Sequence, residues 1–403
     1  MFHGWKVVAA AFVIALFGWG LGFYGPGIYL AALTETHGWD IAAIASAITF
    51  YYVVGATVTI FAGDLFERLG PRVMVTAGAA TMAAGVTGLT AAGAPWMVFA
   101  AFLVMGFGWA CLGGAAINLI VAPWFERKRG LAISLALNGA SCGGVVIAPV
   151  LIFLIAAFGF AGGMQIAVAG MLILLLPPVW LWVRRRPADL GLLPDGHRIA
   201  ATAGGPVSSA PPPRRASLFG RLNFWSISVP FALGLMAQVG FLTHQAAYLG
   251  PTLGAGGAAL AISITTAAAV VGRLVMGLFV DAIDKRLAAC GNFVLQTGAI
   301  ALMLLHPDPT LLYLYCAVFG LGVGNMITFP PLIVQAEFPA AHFSRVVSLI
   351  LAINQYTFAF GPGLLGWLRD WSGGYDAALI ACLALLITAA GSVLIRAPAP
   401  AAP

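Results

Sequence analysis

The sequence predicts an all-α membrane protein of twelve transmembrane helices arranged as two pseudo-symmetric six-helix halves. Three observations carry that expectation. Of 403 residues 61% are hydrophobic and only 8% charged, against about 25% charged in soluble domains. Twelve apolar runs each approach or exceed the roughly 20 residues an α-helix needs to cross the hydrocarbon core. One long polar segment divides the runs evenly, and short motifs recur across it at near-constant spacing.

In chain order the spans read as residues 7–32, 41–62, 73–93, 96–121, 131–158 and 163–183, then 224–249, 257–280, 286–306, 309–333, 346–368 and 376–395. Their Gly and Ala content fits helices packed closely together, because small residues let backbones approach in lipid. In the first span, GWGLGFYGPG places Gly and Pro inside the helix and predicts an interruption. Between the sixth and seventh spans, RRRPADLGLLPDGHRIAATAGGPVSSAPPPRR (184–215) reads as a solvated linker. Its Arg clusters can lean on anionic headgroups. The expected domains are therefore a half over 1–183, a cytoplasmic linker over 184–222 and a half over 223–403. GDLFERLGPR (63–72) and GLFVDAIDKR (277–286) lie 214 residues apart, and Pro149, ending NGASCGGVVIAP in the fifth span, and Pro362, within NQYTFAFGPG in the eleventh, lie 213 apart. Equal offsets at two places argue for an internal duplication.

Charge sets the orientation. An even number of spans puts both termini on one side. Of the 19 Lys and Arg, all but Arg273 and Arg369 fall on that side, so the positive-inside rule places both ends in the cytoplasm of a cell (inner) membrane protein. The net charge of +6 arises from this loop bias, and a nucleic-acid partner is not expected. Cys111, Cys142, Cys290, Cys316 and Cys382 fall within spans at unrelated spacings and read as small core residues, with no metal or cofactor. Nothing before Trp5 resembles a cleavable signal, so the first helix is expected to act as the targeting element.

Arg273 is the only charged side chain inside a long apolar stretch. An ionised group at membrane depth is costly and by default functional. It lies roughly 10 Å from the cytoplasmic end of its helix at 1.5 Å per residue. Snorkelling to the interface is the plainer alternative, but the reach is marginal and Gly272 and Gly277 suit a packed face. A planar guanidinium fork matches carboxylate, so the expected ligand is a small organic anion. Asn354 on the eleventh span lies at similar depth, where its amide serves either a bound carboxylate or hydroxyl, or interhelical bonding. His244, with an unperturbed pKa near 6.5, is either a proton route or a satisfied structural histidine. Tyr24 sits in the interrupted first span, where freed backbone groups can meet substrate. Tyr29 reads as an interfacial anchor. Tyr51 and Tyr52 have no assigned role. All 13 acidic residues lie in loops or at span ends, so coupling through a buried carboxylate is not expected. Proton entry through His244, or anion exchange, takes its place.

The loop Gly63, Leu65, Glu67, Arg68, Gly70 and Arg72 resembles the G-x-L-x-D-R-x-G-x-R signature of the major facilitator superfamily, with Glu where Asp is usual. Gly277, Phe279, Asp281, Lys285 and Arg286 form a partial copy. The resemblance covers essentially the whole chain. It implies the major facilitator fold, rocker-switch alternating access and a cytoplasmic gate of Glu67, Arg68, Arg72, Asp281 and Lys285; the same charges also serve to hold the loop in the cytoplasm. It further implies that the fourth and tenth helices line a central cavity, making Asn118 and Asn325 candidate ligands or helix glue. The opening HGW, APWFERKRGLA (122–132), FLTHQAAYL (241–249) and GRLVMGLFVD (272–281) are similar to bacterial monocarboxylate porters and oxalate:formate antiporters. In those families an Arg on the eighth helix binds carboxylate, and Arg273 matches it. Asn354 stands where the oxalate antiporter has Lys. Tyr24 matches one of its tyrosines, whereas Gly114, Gly322 and Met326 replace other aromatics. Ala269 stands where animal monocarboxylate porters carry Asp. These departures favour a monocarboxylate with a larger or apolar tail over a compact dianion.

The expected function is secondary active transport of a small organic anion, a monocarboxylate first, with Arg273 binding the carboxylate. Expected partners are that substrate, a proton or counter-anion, and membrane lipids, around a monomer. Efflux of amphiphilic compounds is the alternative and would tolerate loss of Arg273. A non-transporting receptor on a transporter scaffold would bring a signalling domain or long tail, where the sequence offers only APAPAAP. An enzyme is not expected, because the spans hold no His cluster, carboxylate pair or nucleophile motif.

Overall fold

The computed structural model describes residues 2–39, 41–196, 218–305 and 308–396. Among them nine helices are long and apolar enough to cross a membrane. One, Arg129–Trp182, runs for 54 residues, more than twice the roughly 20 that a crossing needs. Its backbone leaves the helix at Gly159 (φ 71°, ψ 170°), a conformation glycine adopts without steric cost. A methyl on Gly163 would fall 2.6 Å from the Leu154 carbonyl carbon, whereas a straight helix holds these residues about 13 Å apart. The chain therefore doubles back and supplies two spans. Gly254 (φ 68°, ψ 173°) likewise separates the seventh and eighth spans within Leu222–Phe279. The shorter apolar helices Pro309–Val323 and Asp376–Ser392 fall on the tenth and twelfth hydrophobic runs.

Local chemistry starts these helices. Pro71, Pro95 and Pro309 open their spans, where a missing N–H is harmless. Ahead of Pro309, the Asp308 carboxylate accepts from the Thr310 and Leu311 N–H groups at 2.9 and 3.0 Å and complements the helix dipole. Large apolar side chains such as Phe153, Ile173, Leu278 and Leu305 stand exposed along the spans, as suits a protein solvated by hydrocarbon. Tyr29 is not the interfacial anchor its position suggests. It is fully buried, and its hydroxyl donates to the Leu21 carbonyl at 3.0 Å. All five cysteines are free thiols, with Cys111, Cys316 and Cys382 buried.

The chain forms two compact units, residues 1–207 and 208–403. In the first, the chain start, the loops after the second and fourth spans, and the end of the sixth span gather at one end. His3 Nε2 lies 2.8 Å from the Trp182 carbonyl. Arg72 donates through Nε to the Val183 carbonyl at 2.7 Å and through Nη2 to that of Trp180. Phe2 packs on Trp124 and Phe125. The segment expected to be a solvated linker is folded in its first part, with short 3-10 turns at Pro187–Leu190 and Pro194–Gly196. It is docked by Asp195, whose carboxylate accepts from the Glu126 and Arg127 N–H groups at 3.2 and 3.0 Å. Its remainder, 197–217, lies outside the described residues.

In the second unit one side chain does the equivalent tying. Arg286, 1% exposed, pairs through Nε and Nη2 with the Glu337 carboxylate at 2.5 and 2.8 Å. Its Nη1 donates to the Val393 and Ile395 carbonyls at 2.6 and 2.9 Å, and its Nη2 to Ser226 Oγ at 3.0 Å. Arg72 and Arg286 are 214 residues apart, and each bonds carbonyls at the end of the last helix of its half. The sequence repeat thus has a physical counterpart.

Three expectations follow. Removing one partner of a buried ion pair leaves the other charge uncompensated, so Glu337→Gln should cost about 3 kcal/mol. The exposed Arg396–Asp284 bridge is worth about 1 kcal/mol or less, so Arg396→Gln should barely move the melting temperature in detergent. His342, between the tenth and eleventh spans, is held below its ordinary value of 6.5 by desolvation first and then by Arg221 and Arg345. The unfolded chain therefore takes up the proton first. Stability should be complete above about pH 6.5 and decline as pH falls through the depressed folded value. His342→Gln should flatten that slope in pH-resolved thermal melts.

Candidate functional site

The tenth span is broken. Pro309–Val323 stops, residues 324–328 form turns, and the helix resumes as Phe329–Glu337. Pro330 and Pro331 cannot donate to carbonyls one turn back, and the Thr328 N–H turns to the Asn325 carbonyl at 2.9 Å. The Gly324 carbonyl is thereby released from the backbone ladder. Arg273, 3% exposed, donates to it through Nε at 2.8 Å. Glycines make this approach possible. A methyl on Gly272 would fall 2.0 Å from the Leu321 carbonyl oxygen, on Gly320 2.4 Å from that of Thr265, and on Gly324 2.6 Å from that of Ala269. The eighth and tenth spans therefore lie backbone against backbone, and the buried guanidinium meets the break.

Asn354 is 1% exposed, and neither its Nδ2 nor its Oδ1 has a hydrogen-bond partner among the described residues. Gln296, fully buried, is in the same condition at both amide atoms. Asn325 donates to Asn292 Oδ1 and to the Leu321 carbonyl, both at 3.1 Å, the interhelical bonding weighed for it. Asn118 donates to Gly114 in its own helix at 2.7 Å. His244 is engaged at both nitrogens, by the Pro362 carbonyl at 2.9 Å and the Tyr375 hydroxyl at 3.1 Å. A carbonyl only accepts, so Nε2 carries a proton. This ties the seventh span to the eleventh.

In the first half the predicted interruption is a widened π-helical turn, Gly20–Tyr24, packed against a second one in the fifth span, Gly143–Ile147. A methyl on Gly144 would sit 2.6 Å from the Tyr24 ring. Three successive carbonyls of the first turn each accept a tyrosine hydroxyl: Leu21 from Tyr29 at 3.0 Å, Gly22 from Tyr51 at 2.8 Å and Phe23 from Tyr52 at 3.3 Å. The fourth span breaks at Gly113, whose backbone is extended. Trp109 lies beside it, with Trp19 at 5.1 Å and Phe23 at 6.3 Å between ring centres. A methyl on Gly114 would lie 3.7 Å from the Trp19 ring. Aromatic surface is therefore supplied from the first span where Gly114 lacks it. Sequence reasoning missed Trp19, Trp109, Tyr51 and Tyr52 because the cluster draws on three spans with no shared period.

Of the predicted gate charges, Arg72 is bonded to the sixth span of its own half. Glu67 and Arg68 are exposed, and Asp281 and Lys285 half-buried. The most buried charge of the repeated motif is the neighbouring Arg286. Among the described residues no group of His, Cys, Asp and Glu is arranged to hold a metal ion.

Helices of this number, length and exposed apolarity define a multi-pass membrane protein. The profile of the Major Facilitator Superfamily matches residues 10–362 and again 247–403, and the chain belongs to that superfamily of transporters. Monocarboxylate transporter 11 of Mus musculus is 27% identical over 417 residues, covering 96% of this chain and 85% of its own. Monocarboxylate transporter 2 of Homo sapiens is 27% identical over 417 residues, covering 97% and 85%. An MFS-type transporter of Ophiocordyceps is 29% identical, covering 83% and 71%. The crystal structure of the E. coli fucose:proton symporter superposes with a TM-score of 0.69 at 16% identity, over 97% of this chain and 100% of that one; at that identity the likeness concerns the fold.

An unsatisfied buried amide destabilises a fold by about 1–3 kcal/mol. Asn354→Leu should therefore hold or raise the melting temperature of the purified protein while lowering transport, a trade expected of a ligand site. Lower stability together with unchanged transport would assign the amide a structural role.

Proposed function

We propose that the protein is a secondary active transporter of a small organic anion, a monocarboxylate first, and that Arg273 binds the carboxylate. The observation that carries this reading is the burial of a guanidinium inside an apolar span, against the broken turn of the tenth. Charges at such depth are functional by default, and interrupted helices are where transporters expose polar groups to substrate. The named relatives include monocarboxylate transporters.

The mechanism is alternating access. The two halves rock and expose the site to one side at a time, with Glu67, Arg68, Arg72, Asp281 and Lys285 at the cytoplasmic gate and both termini in the cytoplasm. A carboxylate on Arg273 offsets the cost of enclosing that cation in a low-dielectric interior, so an occupied site closes more readily than an empty one. Asn354 supplies a donor or acceptor to the acid or its substituent. Tyr24, Asn118 and Asn325 are the further candidate contacts, and His244 the candidate for proton entry.

The test is uptake of radiolabelled lactate and pyruvate by membrane vesicles. Arg273→Gln should cost about 3 kcal/mol of substrate binding, roughly a hundredfold in half-saturating concentration, with expression maintained. Arg273→Lys keeps the charge but loses the fork and should fall between the two. Undiminished carboxylate uptake by Arg273→Gln would remove the proposal, and energised export of amphiphiles by that variant would turn it toward efflux.

A further inference from the structure

The first half holds a second concentration of positive charge, where the third span begins and the sixth ends. The sixth span finishes in Trp180, Leu181, Trp182 and Val183. Two guanidinium groups converge on the same pair of its terminal carbonyls. Arg72 donates through Nε to Val183 at 2.7 Å and through Nη2 to Trp180. Arg184 donates through Nη1 to the same two carbonyls at 3.1 and 3.2 Å. A cation at a helix C-terminus is ordinary, and one guanidinium with five donors is enough for two carbonyls. A second on the same oxygens sets like charges side by side.

The neighbouring acids do not relieve this. Asp189 is turned onto the backbone, its carboxylate accepting from the Arg185 and Arg186 N–H groups at 3.1 and 3.0 Å. Asp195 is turned onto the N–H groups of Glu126 and Arg127. Among the described residues neither Arg72 nor Arg184 forms an ion pair with a carboxylate. The flank of the pair is apolar and open. The Trp180 ring lies under the Arg72 guanidinium at 5.6 Å, and Leu69, Val73, Trp180 and Leu181 are all exposed.

An anion that fits must bring negative charge at one end and hydrocarbon at the other. We propose that Arg72 and Arg184 form a binding site for the phosphate of an anionic phospholipid, with its acyl chains along Val73, Trp180 and Leu181. Guanidinium is geometrically matched to phosphate oxygens, and the site lies at a helix end, where headgroups meet the apolar band. The exposed flank selects a lipid over free phosphate, which would gain nothing from it. The consequence is a lipid-dependent brace between the third and sixth spans, separate from the carboxylate site at Arg273.

The experiment uses the full chain in mixed micelles and follows its unfolding midpoint during titration with phosphatidylglycerol. Phosphatidylcholine and inorganic phosphate at matched ionic strength are the controls. Phosphatidylglycerol should raise the midpoint saturably, and the controls should not. Arg184→Gln should leave the lipid-free midpoint unchanged, because Arg72 still caps both carbonyls. It should raise the half-saturating phosphatidylglycerol fraction about fivefold, the worth of one basic side chain near an anionic surface. Arg185→Gln, an exposed neighbour outside the pair, should shift it less than about twofold. Equal shifts from Arg184→Gln and Arg185→Gln would reduce the effect to diffuse surface attraction and overturn the site. So would full stabilisation by inorganic phosphate, or the lack of both a phosphatidylglycerol-specific shift and retained phosphatidylglycerol in native mass spectra.

Discussion

In hydrocarbon a backbone carbonyl without a hydrogen bond costs several kcal/mol, and this constraint organises the protein wherever its spans depart from a regular helix. Several of these departures are met by a side chain, in most cases from another span. Tyr29, Tyr51 and Tyr52 serve the widened turn of the first span. Arg273 serves Gly324 at the break in the tenth, and His244 serves Pro362 in the eleventh. At the helix ends, Arg72 and Arg286 serve the last carbonyls of the sixth and twelfth spans. The irregular backbone and the unusual polar side chains therefore have a common cause.

That common cause explains how a costly charge can persist in the eighth span. The Arg273–Gly324 bond fixes the guanidinium against a turn that is not locked into a helical ladder. A ligand that engages the guanidinium therefore acts on the same residues that connect the two pieces of the tenth span. In the proposed mechanism, binding and rearrangement would share these atoms. Asn354, buried with both amide atoms unpartnered among the described residues, is the kind of unmet demand that a folding protein avoids and a binding protein keeps.

Much of this was legible in the sequence. Hydrophobic length gives the place of the apolar helices, because crossing lipid fixes helix length. The repeat at 63–72 and 277–286 locates Arg72 and Arg286, and the single intramembrane charge locates Arg273. The tenth span was less legible. Its Gly322, Gly324, Pro330 and Pro331 resemble the signal that marked the first span, yet they sit inside an unbroken apolar run. The Trp19–Trp109 cluster and the pairing of Arg286 with Glu337 depend on which helices pack together, and no local period records that. The ordered start of the connector was hidden by its polar composition, since docking through Asp195 uses backbone N–H groups that any residue carries.

The most direct measurement is an experimental structure of the protein with a bromine-labelled monocarboxylate, located by its anomalous signal. The account predicts a carboxylate about 2.7–2.9 Å from the Arg273 guanidinium nitrogens, the separation of a charge-assisted bond, with Asn354 turned to the same ligand. A labelled acid bound elsewhere, with Arg273 contacting only protein, would contradict it.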